Sequence, residues 1–438
     1  MTGLPARRLP LLYLGTAHGS LAFACLLVAL RPQSAAGFFY HSWMVAIVHL
    51  VTLGWITFSI LGAFYIVGPI ALRTDMPVRR GDYVAYAFAL VGLVGMVGHF
   101  MIAEYGGMAW SAATIVCGIL YMTTRIVSAV RRSGVPTAIK LHIVLACFNL
   151  WIAASMGLLV AVDKVVHLLP GFVLSNVFAH AHLAALGWAT MMVIGVAYRL
   201  LPMIFPSKMP SGRSLYASAV VFEIGVLGLF VTLLVRSSWA VLFGIAIASG
   251  IAVFAVHVVW MLRHRVAKPP AAAPFDFAVL HAAAAGASLV AAIAIGLLLL
   301  VAPMSTLTLH AAAAYGVLGL VGFLGQMIVA MEARLLPLVT WFWAYAGSSF
   351  QVPPPSPHRM RDRGLQALVF AGWIVGVPAL AAGMFRESAI LVALGGWALF
   401  VGVAIATLDN IYVVTNASSS SVRGLNDAVE LSTAREVT

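Results

Sequence analysis

His180-Ala181-His182 is the tripeptide of this sequence with the most chemistry in it. Residues two apart on a helix point about 200° from each other, so the two imidazoles cannot face one ion. Each can face a different one. A neutral imidazole is a good axial ligand for haem iron, and two opposed imidazoles make a low-spin, electron-carrying centre. A helix wedged between two haems needs this spacing. His49 lies at matched depth on another apolar segment, so His49 and His182 are expected to clamp one haem between them.

The matched depth comes from an internal repeat. His49-Leu-Val-Thr-Leu-Gly-Trp55 is followed by Gly62, Tyr65 and Pro69, and His182-Leu-Ala-Ala-Leu-Gly-Trp188 by Gly195, Tyr198 and Pro202. A third copy runs from Val317 through Val321-Gly322-Phe323 to Pro337, without the histidine. Such self-similarity announces repeated structural units. In each copy the proline is expected to close the helix, and the shared glycines to permit close helix approach.

The elements that position these residues are apolar helices. The chain of 438 residues is 63% hydrophobic and 9% charged, with a mean hydropathy of +1.04. That leaves too little charge to cover a water-soluble domain of this size. Runs of about twenty apolar residues, the length that crosses the hydrocarbon core, predict twelve transmembrane helices. With the N-terminus inside, only Arg31, Lys164, Arg236 and Arg386 of the 25 Lys and Arg residues fall outside. The positive-inside rule therefore puts both termini in the cytoplasm.

An all-α polytopic membrane protein of three four-helix units follows, spanning 1–138, 139–268 and 269–415, with a disordered cytoplasmic tail over 416–438. The segments 266–274 and 347–363 are read as Pro-rich cytoplasmic connections. The first apolar run, from Leu11 to Leu30, is full length and should remain as the first helix rather than be cleaved. The +12 net charge sits in short loops beside apolar helices, where topology signals belong, so nucleic acid is not an expected partner. Cys25, Cys117 and Cys147 stand singly and support neither a disulfide framework nor a thiolate metal site.

Other ionisable residues within the helices are functional candidates by default. Glu223 on the seventh helix is a candidate proton relay, or a carboxyl paired with a neighbouring hydroxyl. His41, His99 and His310 fall in the outer half of the membrane. His142, His257, His264, His281 and His358 lie toward the cytoplasmic side and His167 in an outer loop, where hydrogen-bonded or interfacial histidines are expected.

The His180-x-His182 helix running on to Tyr198 and Pro202, together with His49 and its trailing Gly62, Tyr65 and Pro69, resembles the heme-copper oxidase superfamily. The likeness is to subunit I of the cbb3-type oxidase and nitric oxide reductase branch. The resemblance implies a low-spin haem b held by His49 and His182 and a second, five-coordinate haem on His180. It also implies that Arg386 contacts haem propionates, that cytochrome c or a quinol donates electrons, and that a diatomic gas, nitric oxide or oxygen, is bound or reduced in a bacterial-type inner membrane. Two features depart from the family. The paired histidines stand on the sixth rather than the tenth helix, and no adjacent His-His pair supplies a copper or non-haem iron site, for which His41, His99 and His310 are the remaining metal candidates. The alternatives are a membrane transporter or metal-handling permease, since repeats of transmembrane helices also describe carriers, and a non-catalytic haem-based gas sensor or subunit.

Overall fold

A computed structural model of the chain describes residues 5–267, 276–345, 356–357 and 360–436, with side chains of the last helix described to residue 416. Among the described residues there are twelve helices long and apolar enough to cross a membrane and no strand. In hydrocarbon every backbone N–H and C=O must be satisfied within its own segment, which leaves helices as the only way for these apolar runs to cross.

The spans are α1 Arg8–Leu30, α2 Ser42–Ile70, α3 Arg80–Met101, α4 Tyr105–Arg132, α5 Thr137–Val166, α6 Val173–Ile204, α7 Ser214–Leu234, α8 Ala240–Arg263, α9 Phe277–Val301, α10 Thr306–Tyr345 and α11 Arg363–Phe385. The last, α12, runs over Ala389–Glu436. The chain is a multi-pass membrane protein.

Packing joins the helices into three arcs: α11–α12–α1–α2, α3–α4–α5–α6 and α7–α8–α9–α10. Because α1 packs on α12, these arcs are staggered by two helices from the units drawn along the sequence. The inner member of each arc is α2, α6 or α10, and each carries a π-helical segment, at Leu50–Thr57, Leu183–Thr190 and Val317–Gly325. The three π segments touch one another pairwise at the centre of the bundle. Such segments are rare and widen the helix locally, leaving carbonyls that side chains can take up. Here Thr57 Oγ1 donates to the Thr52 carbonyl (2.9 Å) and Thr190 Oγ1 to the Ala185 carbonyl (2.9 Å), the same bond in two copies of the repeat. The indole of Trp188 then donates to Thr57 Oγ1 across the centre, at 3.2 Å.

The repeated glycines work as the sequence suggests. A Cβ on Gly54 would lie 2.5 Å from Ser20 of α1, one on Gly187 2.9 Å from Asn149 of α5, and one on Gly322 2.8 Å from Ser288 of α9. Each inner helix thus rests on the helix before it through an equivalent close contact. Gly187→Ala should lower stability by about 1–3 kcal/mol, the usual range for overpacking, because Asn149 and Val226 both stand about 3 Å from the added methyl. A depressed unfolding temperature of the detergent-purified protein is the expected result, and an unchanged one would count against the close contact.

Two expectations change. Pro69 and Pro202 end their helices within two residues, but α10 continues from Pro337 to Tyr345. Proline removes a single donor, and the extra turns are held from outside, with Trp343 Nε1 donating to the Pro5 carbonyl at 2.8 Å. The tail expected to be disordered from 416 is helical to Glu436 as a continuation of α12. Most of both Pro-rich connections, with His358, lies outside the described residues.

Candidate functional site on the inner helices

His49 is the last residue before the π segment of α2, and His182 the last before that of α6. Their ring nitrogens are engaged in the same way. His49 Nδ1 lies 2.8 Å from the Val45 carbonyl and His182 Nδ1 2.8 Å from the Phe178 carbonyl, each one helical turn back. His180 Nδ1 reaches across to the Ala153 carbonyl of α5, at 3.0 Å. A carbonyl only accepts, so in all three rings Nδ1 carries the proton and the lone pair is on Nε2. No described residue partners those Nε2 atoms, and they are not sealed off as the Nε2 of His142 is. A carbonyl holding Nδ1–H in this way fixes the tautomer and ring angle and leaves Nε2 oriented for coordination.

The two histidines of α6 point to different sides, as their spacing requires. His180 lies against Gly157 of α5, where a Cβ would come within 2.7 Å of its Cε1. His49, stacked on Phe100 of α3 (centroids 5.3 Å apart, planes at 22°), is within electrostatic reach of His180. His49 thus meets α3 through Phe100, and His180 meets α5 through Ala153 and Gly157. His182 instead stacks on Tyr315 of α10 (5.7 Å, 19°), whose ring packs on Gly296 of α9, in the third arc. The pairing drawn from the sequence joined His49 to His182. Matched depth along equivalent helices does not imply a shared side, and positions 180 and 182 point about a half-turn apart.

The outer-half candidates are not brought together. His41 Nε2 contacts the Ser34 carbonyl (3.3 Å), His99 Nε2 lies 3.6 Å from Glu104, and His310 Nε2 2.9 Å from Glu387. Among the described residues no group of three or more His, Cys, Asp or Glu side chains could hold a metal ion. These residues do not fit a copper or non-haem iron centre. Arg386 follows α11 with its side chain exposed at the outer end of the bundle, beside Glu387.

Glu223 is buried on α7, and its partner is an amide rather than the hydroxyl expected as the alternative. Asn149 Nδ2 donates to Glu223 Oε2 at 2.8 Å and to the Gly187 carbonyl in the π segment of α6 at 3.1 Å. The carboxyl thus ties α5, α6 and α7 together while Oε1 has no partner. A second polar cluster, built on His18, Glu332, Arg361 and Asp409, escaped the sequence reading. Its only signal was the presence of lone ionisable residues within apolar helices.

No protein-family model matches the sequence, and no curated protein matches it. The cryo-EM structure of a heme-copper terminal oxidase dimer aligns with a TM-score of 0.60 at 12% identity, over 94% of this chain and 84% of that one. The twelve helices of this chain therefore share the fold of a heme-copper terminal oxidase.

Proposed function

We propose that this chain is a haem b-binding membrane protein of the heme-copper oxidase type, acting in electron transfer or in binding or reducing a diatomic gas, nitric oxide or oxygen. The observation that carries the proposal is the set of three histidines on two inner helices, each with Nδ1 tied to a carbonyl and Nε2 without a partner among the described residues. His49 and His180 are the two-imidazole pair for one haem, and His182 is the single ligand for a second. Bound haem would supply one-electron chemistry and a place for a diatomic ligand.

What the chain itself does is hold the imidazoles. The backbone bonds at Nδ1 fix tautomer and ring angle, Gly157 makes room for the His180 ring, and the stacked rings of Phe100 and Tyr315 limit rotation. The proposed setting is a bacterial-type inner membrane, with cytochrome c or a quinol as electron donor.

The test is to purify the protein and record pyridine-haemochrome and reduced-minus-oxidised spectra. Haem b with a low-spin component is expected. Colourless protein that takes up metal ions into vesicles would replace this reading with that of a metal-handling permease.

A further inference from the structure

Toward the arginine-rich face, which the positive-inside rule assigns to the cytoplasm, a cavity of about 230 Å³ lies between the end of α6, the start of α9, α10 and the entry of α11. Its depth follows from helix geometry. At 1.5 Å per residue, Arg334 stands about 40 Å along α10 from Thr306, past the roughly 30 Å of hydrocarbon that a helix crosses. The cavity therefore sits at the level of the lipid headgroups.

The lining has two chemistries. Arg334 of α10, Arg361 ahead of α11, and Arg363 and Gln366 in the first turns of α11 bring donors, while Met203 of α6 and Leu338 of α10 are apolar. Three guanidinium groups meet one carboxylate there, that of Asp276. Two further carboxylates stand outside the lining. Asp409 is paired with Arg361, and Asp362 accepts from the Leu365 N–H at the start of α11, at 2.8 Å.

Two of the guanidiniums are held from behind. Arg334 Nη2 donates to Asp276 and, at 3.2 Å, to the Ile204 carbonyl. Arg361 donates through Nη1 to Asp409 and through Nη2 to Asn410 Oδ1 (2.6 Å) and the Glu332 carbonyl (3.3 Å). A guanidinium fixed in this way presents its charge at a set place, and its planar fork matches the oxygens of a phosphate. Three converging arginines offer more donors than the two oxygens of a carboxylate can take, and they suit the three or more oxygens of a phosphate.

We propose that this cavity binds a phosphate group at the cytoplasmic surface of the membrane, held by Arg334, Arg361 and Arg363, with Met203 and Leu338 beside the rest of the ligand. Two sources carry that group at this depth, a soluble phosphate compound and the headgroup of an anionic phospholipid. Basic pockets between transmembrane helices on the cytoplasmic side suit the second.

Two binding measurements on the full-length, detergent-purified protein test this. Equilibrium dialysis against labelled inorganic phosphate, with ionic strength held constant by chloride, reads the soluble source. Native mass spectrometry after reconstitution in vesicles of phosphatidylcholine and phosphatidylglycerol reads the lipid source, as retained phosphatidylglycerol. Saturable binding is expected in at least one arm, and the arm in which it occurs identifies the source. Arg363→Leu should weaken it about 10–100-fold, the equivalent of one charge-assisted hydrogen bond. The double variant Arg334→Leu, Asp276→Leu leaves the net charge of the lining unchanged and should weaken it as much. Arg132→Leu, which removes an exposed arginine of α4, should leave it as in the wild type. No binding in either arm, binding undiminished in Arg363→Leu, or an equal loss in Arg132→Leu overturns the proposal. Arg363 is exposed in the first turn of α11, so its variant carries the test should the double variant fail to fold.

Discussion

His49→Ala and His180→Ala should each abolish the low-spin haem spectrum, whereas His182→Ala should leave it in place. The argument rests on sidedness. The proposed pair is His49 with His180, which are within electrostatic reach of each other, while His182 stacks on Tyr315 of α10. A two-imidazole centre that loses one imidazole cannot remain six-coordinate with two nitrogen ligands, so the spectral change should be complete rather than partial. Haem retention should fall by more than about 10–100-fold, the loss found when only a residue behind the ligand is removed. Optical and electron paramagnetic resonance spectra of the three variants read this directly. If His182→Ala removes the low-spin signal and His180→Ala spares it, the pairing inferred from the sequence is right and the one proposed here is not.

Arg361→Leu should destabilise the protein by about 3–5 kcal/mol, the range for removing one partner of a buried ion pair. Asp409 is 2% exposed and pairs with Arg361 through one oxygen, and its other oxygen has no partner. Arg361 also donates to the Glu332 carbonyl and to Asn410, so its loss strips three acceptors at once. The double variant Arg361→Leu, Asp409→Leu removes the stranded charge with its partner and should recover most of the loss, since a well-packed apolar pair often replaces a buried ion pair at little cost. Unfolding rates of the detergent-purified proteins at fixed temperature are the appropriate readout for a large membrane protein. A single variant as slow to unfold as the wild type would show that the pair does not hold α12 to the entry of α11.

Both predictions involve residues that the sequence treated unequally. The twelve helices were legible because the bilayer demands long apolar runs, and hydropathy is a local property of the chain. The repeat was legible for the same reason, as Gly54, Gly187 and Gly322 are spaced along the chain as their contacts are spaced in the bundle. The wide π turns were not, since a π segment and an α-helix share one apolar pattern.

The candidate site divides in the same way. His49, His180 and His182 stood out by residue type, and their two-residue step already implied opposite sides of one helix. Which side meets α2 is set by how α6 rotates against α5 and α10, a matter of packing that no local spacing records. His41, His99 and His310 share a membrane depth, but each is engaged by a partner near its own helix end, so depth alone did not assemble a metal site.

The cluster around Glu332 was decided wholly by the tertiary structure. His18 is 314 residues from Glu332 and 389 from Thr407, and each appears in the sequence as a lone polar residue in an apolar run. By itself, the sequence determined the helices, their number and the imidazoles that they carry, because those follow from composition and period. Only the folded bundle determined which helices the imidazoles meet and where Glu332 finds its partners, because closing α1 onto α12 brings together residues from opposite ends of the chain.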